Sequence, residues 1–245
     1  MDSVLYNLTT AALFVLLFAA GRTAVRPETI PHRRIPWAAT ALTVIAIAAV
    51  LTQLLWSGAM GTLDGDPGKS GWWRPLTSVF MQNGGVSGAI WNLVTLAVIA
   101  ALAEWIWGAA VMLALFLVGA LVPGHLDALF GLSSVSVDPR NFAGSSGTTY
   151  FLGATAAAVL LLRASSLPER LLSLAAPAAG MCLWLAQDNA HGLVVVYGYV
   201  LGVVAWLALR AVLPAERDRH PGSRKSVGDV LALLPGKKSS ATRQG

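Results

Sequence analysis

Residues 86–122 read VSGAIWNLVTLAVIAALAEWIWGAAVMLALFLVGALV. The stretch is almost wholly apolar and too long for one helix, because about 20 residues already cross roughly 30 Å of hydrocarbon. Glu104 interrupts it, followed by Trp105, Trp107 and Gly108. A carboxylate at mid-bilayer is expensive, and tryptophans favour the membrane–water interface. A tight turn at Glu104–Gly108, between a span at Val86–Ala103 and a short one at Ala109–Pro123, satisfies both constraints.

Working outward, the same length rule places further spans at Val4–Ala20, Pro36–Trp56, Ser146–Leu162, Leu171–Ala186 and His191–Leu213, seven in all. Composition agrees. Hydrophobic residues make up 56% of the chain and charged residues 12%, about half the charged share of a soluble domain. The fold class expected is all-α, a polytopic helical bundle in a lipid bilayer. The formal net charge is +5, but the basic residues lie in short stretches between or after apolar runs. That pattern suits membrane orientation, and it argues against a nucleic-acid partner, which would need a basic patch on a folded domain. The first apolar stretch has Asp2 before it and Arg22 behind it, the reverse of a cleaved signal, so it reads as a retained span.

Arginines and lysines set the topology. Arg22, Arg26, Arg33 and Arg34 lie in the first connection, Arg163 and Arg170 flank the connection near Ser165–Glu169, and the tail from Arg210 carries Arg210, Arg217, Arg219, Arg224, Lys225, Lys237, Lys238 and Arg243. Seven spans bring these segments to one side, which is then cytoplasmic, with the N-terminus outside and the C-terminus inside. The other side receives Lys69, Arg74 and Arg140. The expected location is the plasma membrane, as a multi-pass protein. Two outer connections are long, Ser57–Gly85 and Gly124–Ala143, and such loops are usually functional or disordered. The tail, Pro214–Gly245, has a disordered composition with a short helix expected near Val227–Leu234. Cys182 is the sole cysteine and reads as a packed membrane residue; no disulfide, metal site or cofactor motif is legible.

Polar groups inside spans are informative because each needs a partner. Ser146 stands in Gly144-Ser145-Ser146-Gly147 at the start of a span, where unpaired backbone N–H groups and the positive end of the helix dipole can stabilise an oxyanion. Tyr150 lies one turn on, on the same face. The same residues also fit a helix cap with small residues for close packing. His191 opens the last span, and Gly198 and Gly202 below it allow a neighbouring helix to come close. A histidine within reach of a serine hydroxyl can act as its general base; an interfacial, wetted histidine is the plainer alternative. Asn92 can donate to an oxyanion or simply bond between helices.

Taken together, these residues resemble the rhomboid family of intramembrane serine proteases. Trp73-Arg74, followed by Thr77, Ser78, Phe80 and Met81, looks like the family's Trp-Arg loop. Asn92, Glu104 and Gly108 are similar in spacing to its second core span and closing turn. Gly144-Ser145-Ser146-Gly147 with Tyr150 matches its Gly-x-Ser-Gly-x-x-Tyr pattern, and Ala190-His191 with Gly198 and Gly202 is similar to its final span.

The resemblance covers about Pro36 to Leu213. It implies residues 1–35 as an extra N-terminal transmembrane helix with a basic cytoplasmic loop, 36–213 as a six-span core, and 214–245 as a basic cytoplasmic tail. It also implies Ser146 as nucleophile, His191 as general base, Tyr150 packed on His191, and the Ser146 N–H and Asn92 amide as oxyanion donors. The activity implied is cleavage of transmembrane segments of protein substrates by a dyad, with no metal or cofactor. Two positions depart from the pattern. The histidine often found four residues before the asparagine is Gly88, leaving Gln82 and Asn83 as the nearest polar residues, and a glycine usual after the catalytic histidine is Val194. These departures keep open a rhomboid-like pseudoprotease that binds membrane-protein clients. A small transporter would need charge in span interiors, whereas Glu104 and Asp188 fall at expected ends.

Overall fold

The computed structural model describes residues 3–66, 68–129, 143–211, 213 and 226–232. Among them the chain is helical, with no strand and one isolated antiparallel bridge between Arg34 and Ser226. The long helices are α1 (Ser3–Val25), α2 (Trp37–Leu55), α5 (Gly85–Trp107), α6 (Ala109–Leu129), α7 (Ser146–Arg163), α8 (Leu167–Gln187) and α9 (Ala190–Leu209). Short helices α3 (Ala59–Leu63) and α4 (Arg74–Ser78) lie between α2 and α5, and α10 (Val227–Ala232) lies in the tail. Among the described residues four helices, α1, α2, α5 and α9, are long and apolar enough to cross a membrane. The chain is thus an all-helical bundle of membrane character.

Helix α7 is the centre of the bundle. Every residue from Thr148 to Leu160 is buried, as expected of a helix surrounded on all sides. It packs against α1, α5, α6, α8 and α9. Helix α1 lies against α5, α7 and α8. By contrast, α2 exposes Val44, Leu51, Leu54 and Leu55, an apolar face suited to lipid.

Several expected boundaries move, for identifiable reasons. No turn begins at Glu104: α5 runs on to Trp107 and only Gly108 breaks it, at φ 77, a conformation that favours glycine. The Glu104 carboxylate lies at the start of α2, accepting from the Ala38 and Ala39 N–H groups at 3.3 and 2.7 Å. A negative group there meets the unpaired donors of a helix N-terminus. Trp107 is not interfacial but fully buried, its indole N–H donating to Thr155 Oγ1 at 3.1 Å. Helix α6 does not stop at Pro123 but continues to Leu129, so the expected loop at Gly124–Ala143 is helical over its first six residues; 130–142 lie outside the described residues.

Helix α8 starts at Leu167, four residues early, because Ser166 and Glu169 form a reciprocal capping box. The last helix is Ala190–Leu209 rather than His191–Leu213, and the first extends five residues past Ala20 to Val25. Cys182 is exposed on α8 rather than packed.

The first connection is ordered by Arg33, which is buried and donates to Val25 O at 2.8 Å, Trp105 O at 3.1 Å and Thr29 Oγ1 at 2.8 Å. One guanidinium thereby pairs carbonyls at the ends of α1 and α5. Helix α10 covers Val227–Ala232 of the expected Val227–Leu234, whose last two residues lie outside the described residues, and it packs on the turn of 3₁₀ helix at Pro27–His32. The rest of the tail beyond Leu213 lies outside the described residues.

Candidate active site

The first N–H groups of α7 have no partner within the helix. Ser145 holds the N-cap position of α7, but its side chain makes no cap bond; the capping alternative for this serine pair is therefore not what the structure contains. Gly144 precedes it at φ 138, which a side chain would adopt only with strain. Its N–H donates to Ser78 O at 3.0 Å, tying the loop that carries Trp73 and Arg74 to the start of α7. The turn aims Ser146 across to α9, where His191 Nε2 lies 2.9 Å from Ser146 Oγ. The Tyr150 ring packs on the imidazole, with centroids 4.9 Å apart at 60°.

The approach of α7 and α9 depends on glycine. A methyl on Gly198 would collide with the Phe151 carbonyl oxygen, and one on Gly202 would come within 2.7 Å of Thr155 Cα. On the opposite flank, Gly192 meets the Gly180 carbonyl of α8. Val194 is buried, so the glycine that brings α8 close is Gly192, one residue past the histidine.

Asn92 projects from the first turns of α5 towards the same place. Its Nδ2 donates to Gln82 Oε1 at 2.6 Å. Gln82 is buried and its own amide donates to Ser145 Oγ at 3.5 Å. Gln82 is fixed in turn by Gln53 of α2, through paired bonds of 2.8 Å to its backbone N–H and carbonyl. A methyl on Gly144 would lie 3.6 Å from Ser146 Oγ, 3.7 Å from Asn92 Nδ2 and 3.9 Å from Gln82 Oε1. Without a side chain at Gly144, the Ser146 hydroxyl and the Asn92 amide edge the same space. At Gly88, a Cβ would stand 3.0 Å from the Asn83 carbonyl oxygen, so Gln82 rather than a residue at 88 supplies the polar neighbour of Asn92.

His191 is held from behind. Asn189, fully buried at the N-cap of α9, accepts at Oδ1 from the His191 backbone N–H at 3.0 Å and lies 3.2 Å from His191 Nδ1. Sequence reasoning passed over Asn189; an asparagine immediately before a helix and two residues ahead of a histidine is a capping signal, and it could have drawn notice to this residue. Asp188 is exposed at the αL position ending α8.

The remaining motif residues are structural neighbours of the site rather than parts of it. Arg74 donates to Asp64 Oδ1 at 2.8 Å and to Ser70 O at 2.9 Å, Lys69 pairs with the same Asp64 at 2.6 Å, and Thr77 donates to Leu63 O at 2.8 Å. These bonds close the loop on itself. Trp72 and Trp73 stack edge to face on its outside. Phe80 packs on Phe116 and Met81 is buried. Glu104 and Gly108 lie at the far end of α5 from Asn92, about 18 Å and about 24 Å along the helix. Gly147 has open space at its Cα. Among the described residues no group of His, Cys, Asp and Glu could hold a metal ion.

A serine hydroxyl against an imidazole, beside helix N-terminal N–H groups and an amide, is a constellation able to carry out acyl transfer. Comparison with protein-family models finds no match to this chain, and comparison with curated proteins finds none either.

Proposed function

We propose that this protein is an intramembrane serine protease of the rhomboid type, cleaving transmembrane segments of membrane proteins. The observation that carries the reading is the 2.9 Å approach of His191 Nε2 to Ser146 Oγ, from residues 45 apart in sequence on two different helices. Nε2 takes the hydroxyl proton as Oγ attacks the scissile carbonyl. Negative charge on the carbonyl oxygen is met by the α7 N-terminal N–H groups and by the Asn92 amide. The imidazolium then gives its proton to the leaving amine. Water, activated by the same histidine, hydrolyses the acyl-enzyme.

The setting follows from the same reading. Seven helices cross the plasma membrane, with the N-terminus outside and the tail in the cytoplasm, and the dyad opens towards the outer face beneath the Ser57–Gly85 segment, where water is at hand. A substrate span approaches laterally and unwinds locally to expose its peptide bond, which residues of low helix propensity favour. Catalysis needs no cofactor in this scheme.

A second reading, a pseudoprotease that binds membrane-protein clients without cutting them, is favoured by Gly88, where the resemblance leads one to expect a histidine. A fluorophosphonate probe on the membrane-embedded protein separates the two. Labelling that is lost in both Ser146→Ala and His191→Ala identifies an activated serine; an unlabelled, folded wild type would sink the protease reading.

A further inference from the structure

The polarity of the bonds around Asn189 follows from its backbone partner. The His191 backbone N–H can only donate, so the Asn189 atom 3.0 Å from it is the carbonyl oxygen. That oxygen cannot donate. The ring nitrogen facing it at 3.2 Å, Nδ1, completes a hydrogen bond there only in the tautomer that protonates it. In a neutral imidazole Nε2 is then left with a lone pair, and Nε2 is the atom 2.9 Å from Ser146 Oγ. Asn189 thus selects the tautomer in which the histidine can accept the serine proton.

The orientation of Asn189 is imposed by α1. Its Nδ2 donates to Thr10 Oγ1 at 2.8 Å, while the Thr10 hydroxyl donates to Tyr6 O at 2.8 Å. The Tyr6 hydroxyl donates to Asn189 Oδ1 at 3.2 Å. Thr9 donates to Gln187 Oε1 at 2.9 Å. Tyr6, Thr9 and Thr10 share one helical face, and all three meet the turn between α8 and α9. The same stretch of α1 also receives the Tyr150 hydroxyl, at 2.7 Å on the Thr10 carbonyl. Both supports of the imidazole, the asparagine behind it and the tyrosine ring beside it, are therefore tied to a single turn of the first helix. Helix capping explains the backbone bond of Asn189 but neither its bond to the ring nor its threonine partner.

We propose that Asn189 is the positioning residue of His191, and that the N-terminal helix α1, through Tyr6 and Thr10, is a working part of the dyad rather than only a membrane anchor. The proposal rests on the serine-protease reading for its purpose, though its geometry can be tested apart from activity. It makes the centre a Ser–His–Asn arrangement, with α1 as its outer support.

The test is nitrogen-15 NMR of the full chain in detergent with labelled histidines, the His191 signals assigned by their loss in His191→Gln. Alongside it, the rate of fluorophosphonate labelling at Ser146 is measured. The wild type is expected to show protonated Nδ1 and unprotonated Nε2. Asn189→Leu should mix the tautomers and slow labelling at least about tenfold, as happens when the partner orienting a functional histidine is removed. Asn189→Asp, which keeps the acceptor oxygen, should restore protonated Nδ1. Thr10→Val and Tyr6→Phe leave Asn189 in place and should give smaller shifts in the same direction; they serve if Asn189→Leu does not fold. A wild-type tautomer protonated at Nε2 overturns the proposal whether or not the serine reacts. So does a tautomer and labelling rate unchanged in all of these variants. Protonated Nδ1 that shifts in Asn189→Leu, in a wild type that does not label, upholds the positioning role and removes the protease reading instead.

Discussion

Gly198 of α9 rests directly against the backbone carbonyl of Phe151 in α7. No side chain separates the helices at that level, and Gly202 repeats the approach against Thr155 one turn further on. Ser146 lies at the start of α7 and His191 in the first turn of α9, so this crossing sets the distance between hydroxyl and imidazole. Gly198→Val should push the helices apart. The expected result is a loss of about 1–3 kcal/mol from overpacking and a labelling rate at Ser146 reduced at least about tenfold, since slight misplacement of reacting groups is costly. A thermal melt and probe kinetics on the purified variant check both; wild-type labelling would mean the crossing does not control the dyad.

The space above Gly144 gives a second prediction. Asn92→Ala should lower kcat on the order of 10²–10³-fold with little change in KM, the usual effect of removing one oxyanion donor. Gly144→Ala should do at least as much harm, because a methyl at φ 138 is strained and occupies the space between Ser146 and Asn92. Gln82→Ala should cause a smaller loss, having removed only the partner that aims the Asn92 amide. Cleavage of a model transmembrane substrate in vesicles measures all three. An Asn92→Ala enzyme with unchanged kcat would remove Asn92 from the oxyanion role.

Restoring a histidine at position 88 is the substitution the resemblance invites, and the structure argues against its helping. A Cβ at Gly88 would stand 3.0 Å from the Asn83 carbonyl oxygen, and Gln82 already bonds Asn92. Gly88→His should leave kcat/KM no higher than wild type and lower the melting temperature. A rise in kcat/KM would show that the site lacks a donor that Gln82 does not supply.

The last prediction concerns pH. Glu169 is partly exposed in the first turn of α8, ahead of the apolar stretch 171–186. The backbone N–H of Ser165 donates to its carboxylate at 2.7 Å and holds it below the usual carboxylate range, with Ser166 adding a weaker bond. A carboxyl group whose folded pKa is depressed stabilises the fold above its unfolded pKa of about 4.3, and that contribution is lost as pH falls through the folded value. The melting temperature of wild type should therefore exceed that of Glu169→Gln at neutral pH, and the gap should close as pH falls through the depressed folded pKa. A gap that does not depend on pH would show that the charge of Glu169 is immaterial to the cap.

Much of the architecture was legible in residue order. Apolar runs of membrane length and the break at Gly108 foretell long apolar helices, because both follow from local rules: hydrocarbon thickness, and a backbone angle that favours glycine. The glycines at 198 and 202 announced a close crossing for a similar reason. Boundaries were less legible where a distant group decided them. Glu104 stays helical because its carboxylate finds the N-terminus of α2, 65 residues away, and Trp107 is buried because Thr155 of α7 answers its indole.

At the site, Ser146, His191, Asn92 and Tyr150 stood out because polar groups in apolar runs demand partners. Sequence could name them but could not say which partner each takes. Gln82 beside Asn92, and Asn189 gripped by Thr10 and Tyr6 across more than 170 residues of chain, exist only once the helices are packed. Residue order alone determined that this chain builds apolar helices with a few costly polar groups, since hydrophobicity and backbone propensity act locally. Which nitrogen of His191 faces the serine was decided by tertiary structure alone, because hydrogen-bond polarity depends on atoms that only the folded bundle brings together.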